Sequence, residues 1–424
     1  MKVLWLANTL LPHAAKAMHV SASKPESWIL GAYEKIKERD DVSLIYLFPH
    51  KEPSLVYEEG RTVFLSYPQK KQNKYEPSQR AALEEVFKKY RPDVVHIFGS
   101  EYPHTYAAVL AAESTGLLSR TVIHIQGLCS VIAKHYFAGL PFLARHGYTL
   151  RDFLRRDNPY RAMLSFRRRG KYEIEALRRA HHVIGRTDWD YACTKGYNPE
   201  VNYHFCNETL RPAFYEDKVW CYEECEKHSL FVSQCSYPLK GFHLALEAMR
   251  EIVKAYPDAK LYTTGKSPFS LSFKGKLRQG YYHKYLGKLI RKYRLEKNVV
   301  FLGFLDERSM RDRYLSANVF ISPSSLENSS NSVGEAMILG TPVISSDVGG
   351  IKSLMSHEGE GYLYQADAPY MLAHYVKKIF EMEKGVAPMC QRARARALLT
   401  HEREKNFDTL IEIYEDITKG EANE

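Results

Sequence analysis

At 424 residues the chain exceeds what one hydrophobic core ordinarily supports, which predicts two domains of about 200 residues each. Its 45% apolar and 26% charged residues are ordinary globular composition, which excludes a disordered, collagen-like or disulfide-stapled chain. Sixty Lys and Arg against fifty Asp and Glu leave a net charge of +10, which suits an anionic partner such as a nucleotide, a phospholipid surface or nucleic acid without choosing among them.

The chain opens MKVLWLANTLLPH, where the apolar run covers only residues 3–7. That is shorter than the roughly 7 to 15 residues of a signal peptide, so a buried first strand is predicted. Further strands are predicted at 42–47, 62–65, 93–98, 121–125 and 182–185, after the first at 2–7. Between them, apolar residues at three- and four-residue spacing predict helices at 26–39, 77–90, 103–115 and 166–180. Residues from 208 to 228 carry Pro212, Trp220 and many charges without a period, and read as a domain junction. Beyond it the scheme repeats, with strands at 230–233, 260–264, 299–302, 319–322 and 342–345.

Short apolar runs alternating with helical stretches predict an α/β protein, two Rossmann-like domains with parallel sheets facing an interdomain cleft. The predicted domains are 1–207 and 229–400, with 401–424 forming a C-terminal helix that packs back toward the first domain and ends in a polar tail. Seven scattered cysteines include only one close pair, Cys221 and Cys225, with no second pair or histidine motif to complete a zinc set. They read as reduced thiols of a cytoplasmic protein with no metal site. No run approaches the ~18 apolar residues of a spanning helix.

Open parallel sheets bind ligands outside the carboxyl ends of their strands, so the loops after strands are where chemistry is expected. One such loop, PSSLENSSNSVGEAMILGTPVISSDVGG over 323–350, carries Glu327 and, eight positions on, Glu335. Carboxylates there can accept hydrogen bonds from sugar and ribose hydroxyls while helix N-H groups hold a diphosphate. Ser332 to Glu335 also reads as a capping box, with Ser332 at N-cap and Glu335 at N3, so capping and ligand binding stand as alternatives.

The Glu327 and Glu335 spacing, the GEAMILGTPVISSDVGG continuation and the preceding VFLGFLDERSMRDRYLSANVFISPS resemble the donor-binding half of family 4 glycosyltransferases of the GT-B fold, which are retaining enzymes. The resemblance is strongest over 230–364. It implies that Glu335 holds the nucleotide ribose and that Glu327 meets the donor sugar near its reacting end, with Asn328, Ser329 and Ser332 as further donor contacts. Lys240, in SQCSYPLKG, resembles the family lysine that meets the donor diphosphate, where its charge would offset that of the leaving group. The family often has an arginine five positions earlier. Here Cys235 occupies that place, and Lys266 in TTGKSP is a candidate for the missing phosphate contact.

The first half departs further from the family. Its glycine-pair loop is absent from HVSASKPESWILGAYEKI, which starts at His19, and Gln126 stands in VIHIQG where a histidine is usual. Gln126 can donate a hydrogen bond to a sugar hydroxyl but cannot act as a base; with Glu327 and Lys240 it completes the catalytic candidates. Glu101, after DVVHIFGS, is an acceptor-side candidate, while His96 in the same strand reads as a core histidine. Arg186, in GRTDWD, is a further cleft candidate at a turn where Thr187 or Asp188 can simply cap the helix.

Residues 151–171 hold eight basic and two acidic residues interleaved with Phe153, Leu154, Tyr160, Met163, Leu164 and Phe166. Two readings stand: an interfacial helix on anionic lipid, or a solvated helix whose apolar residues face the core. No nucleic-acid signature accompanies the charge, so nucleic acid is not an expected partner.

The resemblance therefore implies a retaining glycosyltransferase of hexosyltransferase type with no obligatory metal or cofactor. It would move a sugar from a nucleotide-sugar donor to a hydroxyl of a glycan or lipid-linked saccharide in cell-surface or exopolysaccharide synthesis. The expected location is cytoplasmic, with a peripheral place on the inner face of the membrane. The alternative is a non-catalytic sugar-nucleotide-binding protein of the same fold. An oxidoreductase would need G-x-G-x-x-G and an acidic residue about 20 positions later, and neither half has them. A glycoside hydrolase would use two carboxylates flanking the scissile bond, whereas Glu335 at a helix start fits hydroxyl binding better.

Overall fold

The computed structural model describes residues 1–20, 27–52, 55–68, 74–269, 275 and 278–419. The expected helix start at 26, most of the divergent segment after His19 and the end of the polar tail lie outside the described residues. Contacts group the chain into two units: residues 1–131, 165–211 and 401–424 form the first, residues 132–164 and 212–400 the second. This grouping departs from the linear division drawn from the sequence, because 132–164 cluster with the second unit.

The first unit holds β1 (Lys2–Leu6), β2 (Ser43–His50), β3 (Val56–Glu59), β4 (Thr62–Pro68), β5 (Val94–Phe98), β6 (Thr121–His124), β7 (His182–Gly185) and β8 (Asn202–Phe205). They form one sheet in the order β3-β4-β2-β1-β5-β6-β7-β8, parallel throughout except for the antiparallel β3 and β4 pair. Side chains alternate across a strand, so Val3 and Trp5 of β1 enter one core while Leu4 and Leu6 enter another on the opposite face. Leu410 and Tyr414 of helix Arg403–Lys419 join the first core; Leu83, Phe87 and Ala108, from helices Pro77–Tyr90 and Pro103–Thr115, join the second. Helices on both faces explain why these strands read as continuous apolar runs. The two strands without such a run, β3 (VYEE) and β8 (NYHF), are edge strands that bury no residue fully.

The second unit holds β9 (Glu226–Val232), β10 (Lys260–Thr263), β11 (Val299–Phe301), β12 (Ala317–Ser322), β13 (Val343–Ser346) and β14 (Tyr362–Tyr364). All six are parallel, in the order β11-β10-β9-β12-β13-β14. The chain runs outward from β9 to β11 on one side and from β12 to β14 on the other, so the order reverses between β9 and β12. A sheet of this kind offers its ligand crevice at that reversal. Leu230 and Ile321 from the two central strands pack with Leu246 and Met249 of helix Phe242–Ala255 and Val376 of helix Pro369–Met382.

The basic aromatic stretch divides into helix Leu150–Arg155 and helix Pro159–Arg179, the latter starting at its proline, as helices commonly do. Met163, Leu164 and Phe166 are half-buried, but Phe153 and Leu154 stand in solvent. The reading in which all the apolar residues of this stretch face a core is corrected accordingly.

Candidate functional site

The loops after β9 and β12 meet at the reversal point. After β9 a short turn, Pro238–Lys240, ends in Lys240; after β12 the chain passes through Ser324 and Glu327 before helix Asn331–Ile338. Lys240 Nζ lies 2.5 Å from Glu327 Oε1, and Ser324 Oγ donates to the same oxygen at 2.6 Å. Burial works against the ammonium charge, but the facing carboxylate outweighs it, and the Lys240 pKa is raised above its usual value. Both side chains keep part of their surface in solvent, 22% for Lys240 and 12% for Glu327, so a ligand can reach them.

Backbone packing holds this pair in place. Gly241 sits at φ +65°, and a Cβ there would lie 1.7 Å from Pro323 O. Ser325 N donates to Leu239 O at 2.8 Å, tying the two loops together. On the far side Gly350 N donates to Glu327 O at 3.1 Å, and a Cβ on Gly349 would lie 1.9 Å from that oxygen. Glycine is required at both places, because another residue meets backbone as well as a left-handed φ.

Glu335 is buried, 5% exposed, and Tyr314 Oη donates to its Oε2 at 3.3 Å. The capping-box alternative does not hold: the helix starts at Asn331 after Ser330, with no side-chain cap, which puts Val333 at N3 and Glu335 two places further in. Ser332 Oγ instead accepts from Ser233 Oγ at 3.0 Å, a link between the loop after β9 and the helix after β12. Asn328 is buried and Ser329 half-buried in the loop beside Glu327.

Cys235 is a core residue whose thiol donates to Thr264 O at 3.1 Å, and burial pushes its pKa up to about 11. Lys266 is exposed on the wall of a cavity of about 910 Å³ together with Ser236, Tyr237, Arg151, Arg155 and Arg278. Lys240, Glu327 and Glu335 are not among the described residues that line this cavity, so Lys266 is not brought onto the ion pair.

In the first unit, Gln126 and Arg186 follow β6 and β7 and are joined by a residue the sequence reading passed over, Glu208. Gln126 Nε2 donates to Glu208 Oε1, Arg186 Nη1 pairs with Glu208 Oε2 at 2.5 Å, and Arg186 Nη2 donates to Gln126 Oε1 at 3.4 Å. All three groups sit at strand ends, with Arg186 and Glu208 buried. Burial raises the Glu208 pKa, opposed by the Arg186 charge and the Gln126 amide. No signal marked Glu208, which lies in the supposed junction 22 positions from its arginine. Thr187 caps helix Asp188–Tyr197 in a capping box with Asp190. Glu101 folds back over Gly99, whose missing side chain leaves room for it; a Cβ there would lie 2.6 Å from Glu101 Oε2. His96 is a core histidine, its Nδ1 2.5 Å from Tyr414 Oη.

Among the described residues no group of three or more His, Cys, Asp or Glu is placed to hold a metal ion, and no helix is long and apolar enough to cross a membrane.

Residues 222–397 match the sequence model of the family Glycosyl transferases group 1. The chain is 32% identical over 157 residues to the uncharacterized glycosyltransferase MJ1607 of Methanocaldococcus jannaschii, covering 37% of this chain and 36% of that protein. It is 30% identical over 128 residues to the amylovoran biosynthesis glycosyltransferase AmsK of Erwinia amylovora, covering 28% of this chain and 31% of that one. These matches thus span about a third of each relative's own length. Sucrose-phosphate synthase of Thermosynechococcus elongatus superposes with a TM-score of 0.72 at 18% identity, over 99% of this chain and 100% of that one. HepE of Anabaena in complex with UDP superposes with a TM-score of 0.64 at 15% identity, over 98% and 100%. At such identities the likeness concerns the fold, which is that of the GT-B glycosyltransferases.

Proposed function

We propose, taking as premise the group 1 glycosyl transferase match over residues 222–397, that the chain is a retaining glycosyltransferase. It moves a sugar from a nucleotide-sugar donor to a hydroxyl of a glycan or lipid-linked saccharide in cell-surface polysaccharide synthesis. The observation that carries this reading is the contact of Lys240 with Glu327, which sets a cation and a carboxylate side by side where the sheet order reverses. In the proposed reaction Lys240 stabilises the charge that grows on the departing nucleoside diphosphate. Glu327 meets the donor sugar beside the bond that breaks, and Glu335 binds the ribose hydroxyls. Asn328, Ser329 and Ser332 belong to the same donor surface, and Lys266 is a more distant phosphate contact. The leaving phosphate takes the acceptor proton on the face from which it departs, which retains the anomeric configuration.

Gln126, Arg186 and Glu101 are proposed as acceptor contacts at the strand ends of the first unit, with Glu208 holding Gln126 and Arg186 in position. A place on the cytoplasmic face of the membrane accompanies a lipid-linked acceptor. UDP and UDP-sugars are the first donors to test, because a solved structure of the same fold holds UDP. Nucleoside diphosphate release is measured with and without a glycan or lipid-linked acceptor, and the product anomer is assigned by NMR. Acceptor-dependent release with a retained anomer is expected. Donor binding without release on any acceptor would instead make the chain a sugar-nucleotide-binding protein, and an inverted anomer would remove the retaining mechanism.

A further inference from the structure

The large apolar residues left in solvent are mostly scattered, as on any soluble surface, but six of them, Phe142, Leu143, Tyr148, Leu150, Phe153 and Leu154, fall within thirteen consecutive positions of the second unit. Each leaves 64% or more of its surface exposed. They are carried by two short helices, Phe142–His146 and Leu150–Arg155, and by the turn between them. A concentrated apolar patch of this kind marks a surface built to be covered.

The segment is firmly attached even though its apolar side chains point outward. Thr149 and Asp152 form a capping box at the start of helix Leu150–Arg155. Asp152 Oδ2 then accepts from Tyr281 N at 2.7 Å, and Thr149 Oγ1 donates to Gln279 O at 3.0 Å. Gly147 packs so closely on the Tyr281 ring that a Cβ would lie 2.1 Å from it. Thr149 and Asp152 thus face the body of the unit, while Phe142, Leu143, Leu150, Phe153 and Leu154 face water.

Charge identifies what covers the patch. Residues 142–161 contain five arginines against two aspartates. Both aspartates are already engaged: Asp152 at the helix start and with Arg151, Asp157 with Arg151. Arg155, Arg156 and Arg161 are exposed, and no carboxylate among the described residues pairs with them. Phenylalanine and leucine that can enter the acyl boundary, a tyrosine suited to the headgroup level and unpaired arginines beside them match an anionic bilayer surface.

We propose that residues 142–161 are a docking surface for an anionic lipid bilayer, with Phe142, Leu143, Phe153 and Leu154 entering the interface and Arg155, Arg156 and Arg161 meeting lipid phosphates. This deepens the membrane placement given above and rests on that reading only for the acceptor it serves. The full chain is sedimented with vesicles of phosphatidylcholine alone and with vesicles of phosphatidylcholine mixed with anionic phosphatidylglycerol, whose negative surface attracts basic side chains. Binding to the anionic vesicles only is expected, lowered about tenfold by F153S/L154S and likewise by R155E/R156E. The control L399S, which removes a 77% exposed leucine outside the patch, leaves binding unchanged.

Thermal unfolding of each variant shows that it remains folded. Absence of vesicle binding overturns the proposal, as does binding that survives both double variants. A dimer in light scattering that F153S/L154S dissociates, without vesicle binding, overturns it in favour of a second copy as occupant. Donor binding and sugar transfer to a soluble acceptor are measured in parallel without vesicles. If those fail while vesicle binding stands, the enzymatic reading is lost and the docking surface is kept.

Discussion

Lys240 and Glu327 stand 87 positions apart in the sequence, yet the Lys240 ammonium lies 2.5 Å from the Glu327 carboxylate. Each neutralises the other, and both sit in the loops that follow the two central strands, β9 and β12. In the proposed reaction a donor diphosphate arriving here would share the lysine, with Glu327 beside the sugar. Glu327→Ala is therefore expected to reduce turnover by about 10²-fold or more, the scale of losing one electrostatic contact to a transition state, with nucleotide affinity changed by less than about threefold. Lys240→Ala should reduce both. Steady-state kinetics together with calorimetric titration of the nucleoside diphosphate separate the two effects; equal losses of affinity in both variants would contradict the division of roles.

Glu335 reaches its position by a different device. Its carboxylate is held by the buried Tyr314 hydroxyl at 3.3 Å, deep enough in helix Asn331–Ile338 that it caps nothing. If it binds ribose hydroxyls, Glu335→Gln weakens nucleotide binding by about tenfold, roughly one charged hydrogen bond. Tyr314→Phe weakens it by less, because orientation is lost but the charge stays. A deoxyribose nucleotide supplies the check: its affinity should fall less in Glu335→Gln than that of the ribose form, and an equal fall would detach Glu335 from the ribose.

These two residues also show how far the sequence could be read. The loop after β12 was legible because a buried parallel strand, a polar loop and a small-residue helix occur together, and the same logic placed β1, β5, β6 and β7 within a residue or two. Edge strands β3 and β8 were not legible, since half-solvated strands carry no apolar run. Ser332 and Glu335 imitate a capping box, and only the backbone shows that the helix begins two residues earlier, at Asn331 after Ser330. Contacts such as Lys240 with Glu327, or Arg186 with Glu208, join segments that no period or spacing connects.

Glu208 leads to a prediction about stability. Arg186 and Glu208 are buried ends of one ion pair, with side-chain exposures of 3% and 5%. Removing the carboxylate alone leaves a guanidinium enclosed without its counter-charge, so Glu208→Ala should cost about 3–5 kcal/mol in urea unfolding. The double variant Glu208→Ala/Arg186→Met should recover much of that loss, because no charge is then left unpaired. A cost below about 1 kcal/mol for Glu208→Ala would show that the pair is not held as tightly as its geometry indicates.

Acid should destabilise the protein through its buried histidines. Burial pushes the pKa of His96 down to about 3 and those of His104, His243 and His401 down to about 4, against an ordinary value of 6.5. Between those values and 6.5 the unfolded chain binds protons that the folded one refuses, so stability rises with pH across the window and is lost as pH falls through it. Each such histidine changes the balance by about 1.4 kcal/mol per pH unit. Glu173 works the other way. Burial raises its pKa to about 7 even though it accepts from Ser130 N, Cys129 N and Ser100 Oγ, so between 4.5 and 7 the folded state holds the extra proton and gains from acid. Glu208 shares that direction. Burial lowers the pKa of His124 and His182 as well and raises that of Glu247, so the histidines outweigh the glutamates, and the urea midpoint should fall between pH 7 and pH 5. A midpoint that rises on that path would mean that the buried imidazoles accept protons in the folded protein.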